Sequence, residues 1–288
     1  MLFIGQLARR FGRFVVFGNL YVAAIAVLLV AHTEQLFGLR HSRALLLFVG
    51  CATLCSYGLH WALSTPDTAT ARGHWTARRR KWLWALCGGG AVGACVGAGQ
   101  LLQFWAWLLG IAAVAFVYTA PKIPYRPFVW LRGRAVAKTV YLAAAWAFVG
   151  VALPLIVAKV PWQAAMWYFL GNRFLLFLSV CMLFDWRDRA NDHAAHIKNW
   201  ATSSSALRLN AVFAGQQLLF GASLVCFCLH SAQPWAMFFI LALPSFWLLL
   251  GFAQSKTTRS DAWFYGFLDG LVGISALLGL GWAWLQSI

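Results

Sequence analysis

The sequence predicts an all-α, polytopic membrane helical bundle of about nine transmembrane helices. Three observations carry that expectation. The chain is 62% hydrophobic and only 10% charged, where a soluble domain carries roughly a quarter charged residues. Apolar runs of about 20 residues, long enough to cross a bilayer as helices, recur along it. Its Lys and Arg residues also fall in the connections between alternate runs, as the orientation rule for membrane helices requires.

The expected spans are 13–32, 43–63, 81–98, 101–119, 136–158, 163–185, 207–229, 234–253 and 263–285, in one transmembrane domain over residues 1–288. The first, FVVFGNLYVAAIAVLLVA, follows Arg9, Arg10 and Arg13. It is longer than the apolar stretch of a secretory signal, and more membrane-type sequence follows, so it counts as a retained span. Asn19 inside it has interhelical hydrogen bonding as its default role, with substrate binding as the sharper alternative. The third and fourth spans are divided by GGGAVGACVGAGQ, glycine with one glutamine and no charge; such a glycine face lets helix backbones approach closely. The last span holds Asp269, costly in lipid unless paired, protonated or facing water. Arg173 in the sixth span is the obvious partner, with Asn172 or a buried hydroxyl able to serve instead.

Roughly nineteen cationic residues gather on one side of the membrane against three (Arg40, Arg43 and Lys159) on the other. That side holds the N-terminus, the run Arg78-Arg79-Arg80-Lys81, and Lys122, Arg126, Arg187 and Lys198. It is expected to be cytoplasmic, in a bacterial inner membrane. The net charge of +16 then reflects loops facing anionic lipid, not nucleic acid. The seven cysteines lie mostly within apolar runs and form no CxxC pair, so they are expected to pack, not to bind metal.

The stretch LFDWRDRANDH, Leu183–His193, departs from the rest. Three of the chain's seven acidic residues, Asp185, Asp188 and Asp192, fall there. On a helix, offsets of three and seven keep all three within about 60° of one another. Left alone, such a stripe is self-repelling, and a hard divalent cation such as Mg²⁺ relieves it. The plainer alternative is a solvated helix end whose acids pair with Arg187, Arg189 and Lys198. His193 and His196 have the HxxH spacing of membrane di-iron enzymes, but those need several such boxes and this chain has seven scattered histidines.

FDWRDRANDHAAHIKNWAT resembles the second aspartate motif of the UbiA superfamily of intramembrane prenyltransferases, in which D-x-x-D-x-x-x-D runs on into a Gly-Ile-Lys-Thr-like stretch. Asp185, Asp188 and Asp192 match the acids and Ile197-Lys198 the following pair, while His196 and Asn199 stand where glycine and threonine are usual. YTAPKIPYRPF resembles the family's Tyr-x-x-Pro loop. Lys138, with the Trp146 and Pro154 region, resembles the opening of its fifth helix, and FYGFLDGL is similar to distant members.

The resemblance implies a UbiA-like bundle that binds Mg²⁺ and a prenyl diphosphate and transfers the prenyl group to a lipid-soluble, aromatic acceptor among membrane lipids. Asp185, Asp188 and Asp192 become the metal ligands and, with Lys138, the catalytic candidates. Arg72, Lys122, Arg126 and Lys198 become diphosphate contacts. The family's first aspartate motif corresponds to CSYGLHWALSTPDTATARGHW, where Tyr57, His60 and Ser64 occupy the acid positions and Asp67 is out of register. Tyr57 and His60 are therefore expected to line the opposite wall of the site. The alternatives are a UbiA-like protein that binds an isoprenoid lipid or partner enzyme without turnover, and an anion or lipid transporter. Prenyl chain length, acceptor and oligomeric state are not readable.

Overall fold

A computed structural model describes residues 2–123, 138–194, 200–258 and 260–287. Arg126, His196 and Lys198 lie outside the described residues. Among those described, all regular structure is helical. The elements are α1 (Leu2–Phe17), α2 (Leu20–Leu36), α3 (Arg43–Leu63), α4 (Ala71–Gly99), α5 (Leu102–Thr119), α6 (Lys138–Val157), α7 (Ala164–Ala194), α8 (Ala206–His230), α9 (Trp235–Thr257) and α10 (Ala262–Gln286). Eight of them, α3 to α10, are long and apolar enough to cross a membrane; a bent pair, Arg9–Phe17 with Leu20–Leu36, makes a ninth if counted as one span. These helices are compatible with a multi-pass membrane protein.

The first apolar run is not the continuous helix expected over 13–32. It bends by 62° between α1 and α2, because Asn19 takes the left-handed conformation at φ 67°. Asparagine is among the few non-glycine residues that tolerate that region.

The chain divides into two compact units. Unit 1 comprises residues 1–27 and 42–124, and unit 2 residues 28–41 and 125–288.

In unit 1 the main packing is α3 against α4. Gly90, Gly93 and Gly97 form a helical stripe on α4. A Cβ at Gly90 would stand 2.8 Å from the Cys51 carbonyl oxygen, and one at Gly97 2.8 Å from the Phe48 backbone nitrogen. The glycine run thus brings two backbones into contact, and Leu45, Phe48, Leu83 and Cys87 are buried on these two helices. The break between α4 and α5 falls at Gln100–Leu101, where the uncharged division was expected. Helix α4 starts ten residues earlier than the expected span, at Ala71, and is kinked at Arg79 (φ −120°, ψ 20°).

Unit 2 is centred on α7, which packs against α6, α8, α9 and α10. Its buried side chains are large: Phe169, Leu176, Phe177 and Leu183 on α7, Phe213, Phe220 and Phe227 on α8, and Phe264 on α10. Polar side chains cross-link these helices. Gln217 on α8 donates to Ser179 Oγ (2.8 Å) on α7 and accepts from Ser245 Oγ (2.6 Å) on α9. Gln216 donates to the Leu175 carbonyl (3.0 Å). Asn172 donates to Phe220 O and Ser223 Oγ, each at 3.1 Å. In lipid such bonds bind helices that have no hydrophobic reason to prefer each other over acyl chains.

Arg173 is fully buried beside Asn172. It does not pair with Asp269. Its guanidinium donates to Asn172 Oδ1 and to Ser275 Oγ (2.8 Å) and lies 5.1 Å from the Phe169 ring centre. The neutral amide and hydroxyl lie within a side chain's length, and that proximity decides the partnership.

Candidate functional site

Two groups of polar residues stand out, one in each unit.

In unit 2 the acidic stripe lies on α7, which remains helical to Ala194. At a rise of about 1.5 Å per residue, Asp185 stands about 32 Å along the helix from Ala164, close to the thickness of the hydrocarbon core. The last turns of α7, carrying Asp188 and Asp192, therefore extend beyond a bilayer-spanning length.

Asp185 points into the unit. Its Oδ2 accepts from Thr139 Oγ1 and from Trp200 Nε1 (2.7 Å). Thr139 is the second residue of α6, so the pairing ties the opening of α6 to the acidic stripe and brings Lys138 within electrostatic reach of Asp185. Asp188 is held by its neighbour: Arg187 Nε donates to Oδ1 (2.8 Å) and Nη2 to Oδ2 (3.3 Å). The same guanidinium donates to the Tyr265 hydroxyl (3.0 Å) and lies within 5.0 Å of the ring centres of Phe184, Phe264 and Tyr265. An aromatic collar thus fixes Arg187, and Arg187 fixes Asp188. Arg189 turns away to the Ser204 carbonyl (3.1 Å) instead of pairing with the acids. Asp192 is half-buried near the end of α7.

Among the described residues no three His, Cys, Asp or Glu side chains converge as a metal-binding group. Mg²⁺, however, commonly takes only one or two carboxylates and completes its shell with water and phosphate oxygens. Asp185 Oδ1 accepts no hydrogen bond among the described residues, and the Asp188 side chain is 45% exposed. Hard oxygen donors of this kind fit Mg²⁺ bound in that partial way.

In unit 1 the residues expected to line the first motif gather at the C-terminal end of α3. The turn that follows is set by Asp67, Thr70 and Gly73. Thr70 Oγ1 caps α4 by accepting from Gly73 N (3.0 Å), and a Cβ at Gly73 would collide with the Asp67 carbonyl oxygen at 1.8 Å, so the turn requires glycine. This turn delivers Arg72 to the interior. Arg72 is 4% exposed, donates through Nη2 to Asn19 Oδ1 (2.6 Å), and lies 3.8 Å over the Trp61 ring. Lys122, just after α5, donates to Ser64 Oγ and lies 5.4 Å from the same ring. Arg80 Nη2 donates to the Ser64 carbonyl (2.9 Å). His60 is buried and stacked on Tyr118 at 4.9 Å, edge-on to Trp61 at 5.6 Å. Tyr57, one turn earlier on α3, is half-buried.

The structure therefore brings Asn19, Arg72, Lys122 and His60 together around Trp61, and Lys138 together with Asp185. Sequence reasoning did not single out Arg80, Trp61, Thr139, Trp200, Arg187 or Tyr265 as site residues. Arg80 was hidden in a run of four cations, and the aromatics among seventeen tryptophans and twenty-three phenylalanines. For the unit 1 group the signals were the three acid-position substitutes Tyr57, His60 and Ser64, with Asn19, Arg72 and Lys122 named beside them. No protein-family model, curated protein or solved structure matches this chain.

Proposed function

We propose that this chain is an integral membrane transferase, UbiA-like in architecture, that moves a prenyl group from a prenyl diphosphate to a lipid-soluble aromatic acceptor. The observation that carries it is the junction of Lys138 and Thr139 with Asp185. Lys138 and Asp185, which the sequence resemblance selects on two separate helices, lie within electrostatic reach of each other in unit 2, and Thr139, next to Lys138, donates to Asp185. Asp185, Asp188 and Asp192 would hold Mg²⁺, which when bound supplies charge neutralisation for a diphosphate leaving group. Lys138 adds a point charge for the same oxygens. Thr139 and Trp200 orient Asp185, and Arg187 orients Asp188. Arg72, Lys122 and His60 form a group of their own around Trp61 within unit 1. The site residues then face the cytoplasm of a bacterial inner membrane.

The test is release of pyrophosphate by purified protein given prenyl diphosphates of graded length, a panel of aromatic acceptors and Mg²⁺. Asp188→Ala combined with Asp192→Ala is expected to lower the rate by at least about 100-fold. Undiminished product formation in that double variant would sink the mechanism.

One observation favours a second reading. Asp185 and Asp188 already have protein partners in Thr139, Trp200 and Arg187, as in a UbiA-like protein that binds an isoprenoid lipid or partner enzyme without turnover. That protein would bind prenyl diphosphate, release no pyrophosphate, and melt at the same temperature with or without Mg²⁺.

A further inference from the structure

We propose that α1 and the first turns of α4 form a docking surface for an anionic phospholipid leaflet, with α1 lying along the membrane surface instead of opening a span. This surface belongs to unit 1 alone and is independent of the transferase reading. Charge balance in the sequence places basic connections near acidic lipid in general. The structure shows which cations two packed helices assemble, and which ring lies opposite them.

Helix α1 has two faces. At about 100° per residue, Gln6, Arg9, Arg10 and Arg13 fall within about 100° of one another, and Phe11, Phe14 and Val15 fall on the opposite side. A helix with arginines on one face and phenylalanines on the other suits the boundary between headgroups and acyl chains. The left-handed Asn19 turns it into that boundary. The segment Arg9–Phe17 leans 62° from α2 and does not continue its line.

Helix α4 supplies the other half. Its 29 residues extend about 43 Å, against about 30 Å for a hydrocarbon core. The surplus of about nine residues falls at the charged start and ends at the Arg79 kink. Aromatic rings clamp α1 to this stretch. The Phe14 ring centre lies 6.4 Å from that of Trp75 and 6.3 Å from that of Trp82, and Phe17 lies 6.1 Å from Trp75. Because Phe14 touches both tryptophans, the α4 segment between them, carrying Arg78, Arg79 and Lys81, runs past the end of α1 that carries Arg13. Tryptophan is itself favoured at the membrane–water boundary.

Arg9, Arg10, Arg13, Arg78, Arg79 and Lys81 are all exposed. Among the described residues none of the six is in an ion pair, and neither helix contains an acid. They are distinct from the cations around Trp61, and Arg80 is turned to the Ser64 carbonyl. The complement of such a surface is a sheet of phosphate charge. Phe11 decides between a leaflet and a soluble acidic partner. It is 68% exposed and lies on the side of α1 away from the arginines. A soluble partner on the arginines would leave that ring in water, whereas a leaflet meets the arginines with headgroups and covers the ring with acyl chains.

The deciding experiment is amide hydrogen exchange, read by mass spectrometry, on the full-length protein in nanodiscs of phosphatidylcholine alone and of phosphatidylcholine with phosphatidylglycerol. Exchange over Leu2–Phe17 is expected to be about tenfold slower in the discs that contain phosphatidylglycerol. High salt should remove the difference. One cation near an anionic surface is worth about fivefold in affinity, so Arg9→Gln, Arg10→Gln and Arg13→Gln combined should abolish the slowing. The corresponding three lysine substitutions should preserve it, because a leaflet requires charge and not a planar fork. Glutamine at Arg78, Arg79 and Lys81 should reduce the slowing severalfold, and glutamine at Arg40 and Arg43 should leave it unchanged. Should a glutamine variant not fold, the lysine variant and the salt dependence of the wild type decide the same question. Equal exchange of the wild type in both kinds of disc overturns the docking surface, as does slowing that survives in both the glutamine variant and high salt. If heparin slows α1 in phosphatidylcholine discs as much as phosphatidylglycerol does, the leaflet is overturned as the occupant in favour of a soluble polyanion.

Discussion

Units 1 and 2 solve the problem of packing helices in lipid by different means. In unit 1, α3 and α4 meet backbone to backbone at Gly90 and Gly97, with Gly93 against the Cys51 side chain. In unit 2, α7 stands among phenylalanines and is cross-linked by Asn172, Gln216 and Gln217. They differ in charge as well. Unit 1 collects cations on an aromatic ring and neutral acceptors, and unit 2 places carboxylates among hydroxyl, indole and guanidinium donors. Close backbone contact depends on the absence of side chains, so one added group disrupts all of it. A ladder of separate bonds can lose one rung and keep the others.

The largest effect should come from Gly97→Leu. Its Cβ alone would lie 2.8–2.9 Å from the backbone of Phe48, so α3 and α4 must separate. Overpacking of this kind costs about 3 kcal/mol, read as an early transition when the purified protein is titrated with SDS in mixed micelles. Wild-type behaviour would break the comparison, because the glycines would then be incidental.

Arg72→Ala comes next. It removes a guanidinium that lies on Trp61 and bonds Asn19 inside unit 1. A desolvated cation–π contact is worth about 2 kcal/mol, so the loss should approach that figure in the same titration. Arg72→Lys should fall between, since an ammonium keeps the charge but not the planar stack. Equal loss in both variants would assign the effect to geometry and none of it to charge.

The smallest effect is expected in unit 2. Gln217→Leu deletes the bonds to Ser179 and Ser245 on two helices. Interhelical hydrogen bonds in membranes average about 0.6 kcal/mol with a maximum near 1.7, so the combined cost should be about 1–2 kcal/mol. A loss larger than that of Gly97→Leu would invert the ranking of the two packing modes.

Much of the fold was legible in the chain because a bilayer imposes a long, simple period. Runs near 20 apolar residues give the spans α3 to α10, and the glycine and Gln100 between α4 and α5 marked a division that charge did not. The bend at Asn19 was masked, because the turn-type pair Gly18-Asn19 sits inside an apolar run long enough to read as one span. Nor was the extension of α4 back to Ala71, because its first turns are too charged to read as a span. Within the candidate sites, Asp185, Asp188, Lys138, Arg72 and Lys122 were all named from sequence. Their partners were not, because Trp200 and Trp61 are two of seventeen tryptophans and nothing in the sequence sets Thr139 apart from other hydroxyl residues.

Composition and order along the chain were enough to specify a helical protein made for lipid, with its acids concentrated after one span and its cations in alternate connections. Those features follow from the solvent, which acts on each segment separately. Tertiary structure alone decided that Arg80 and not its neighbours reaches Ser64, that Arg187 holds Asp188 while Arg189 turns to Ser204, and that Arg173 bonds Asn172 and Ser275 instead of Asp269. Hydrogen bonds and ion pairs act over about 3 Å, and which groups come that close is set by how the helices pack, not by their spacing in the chain.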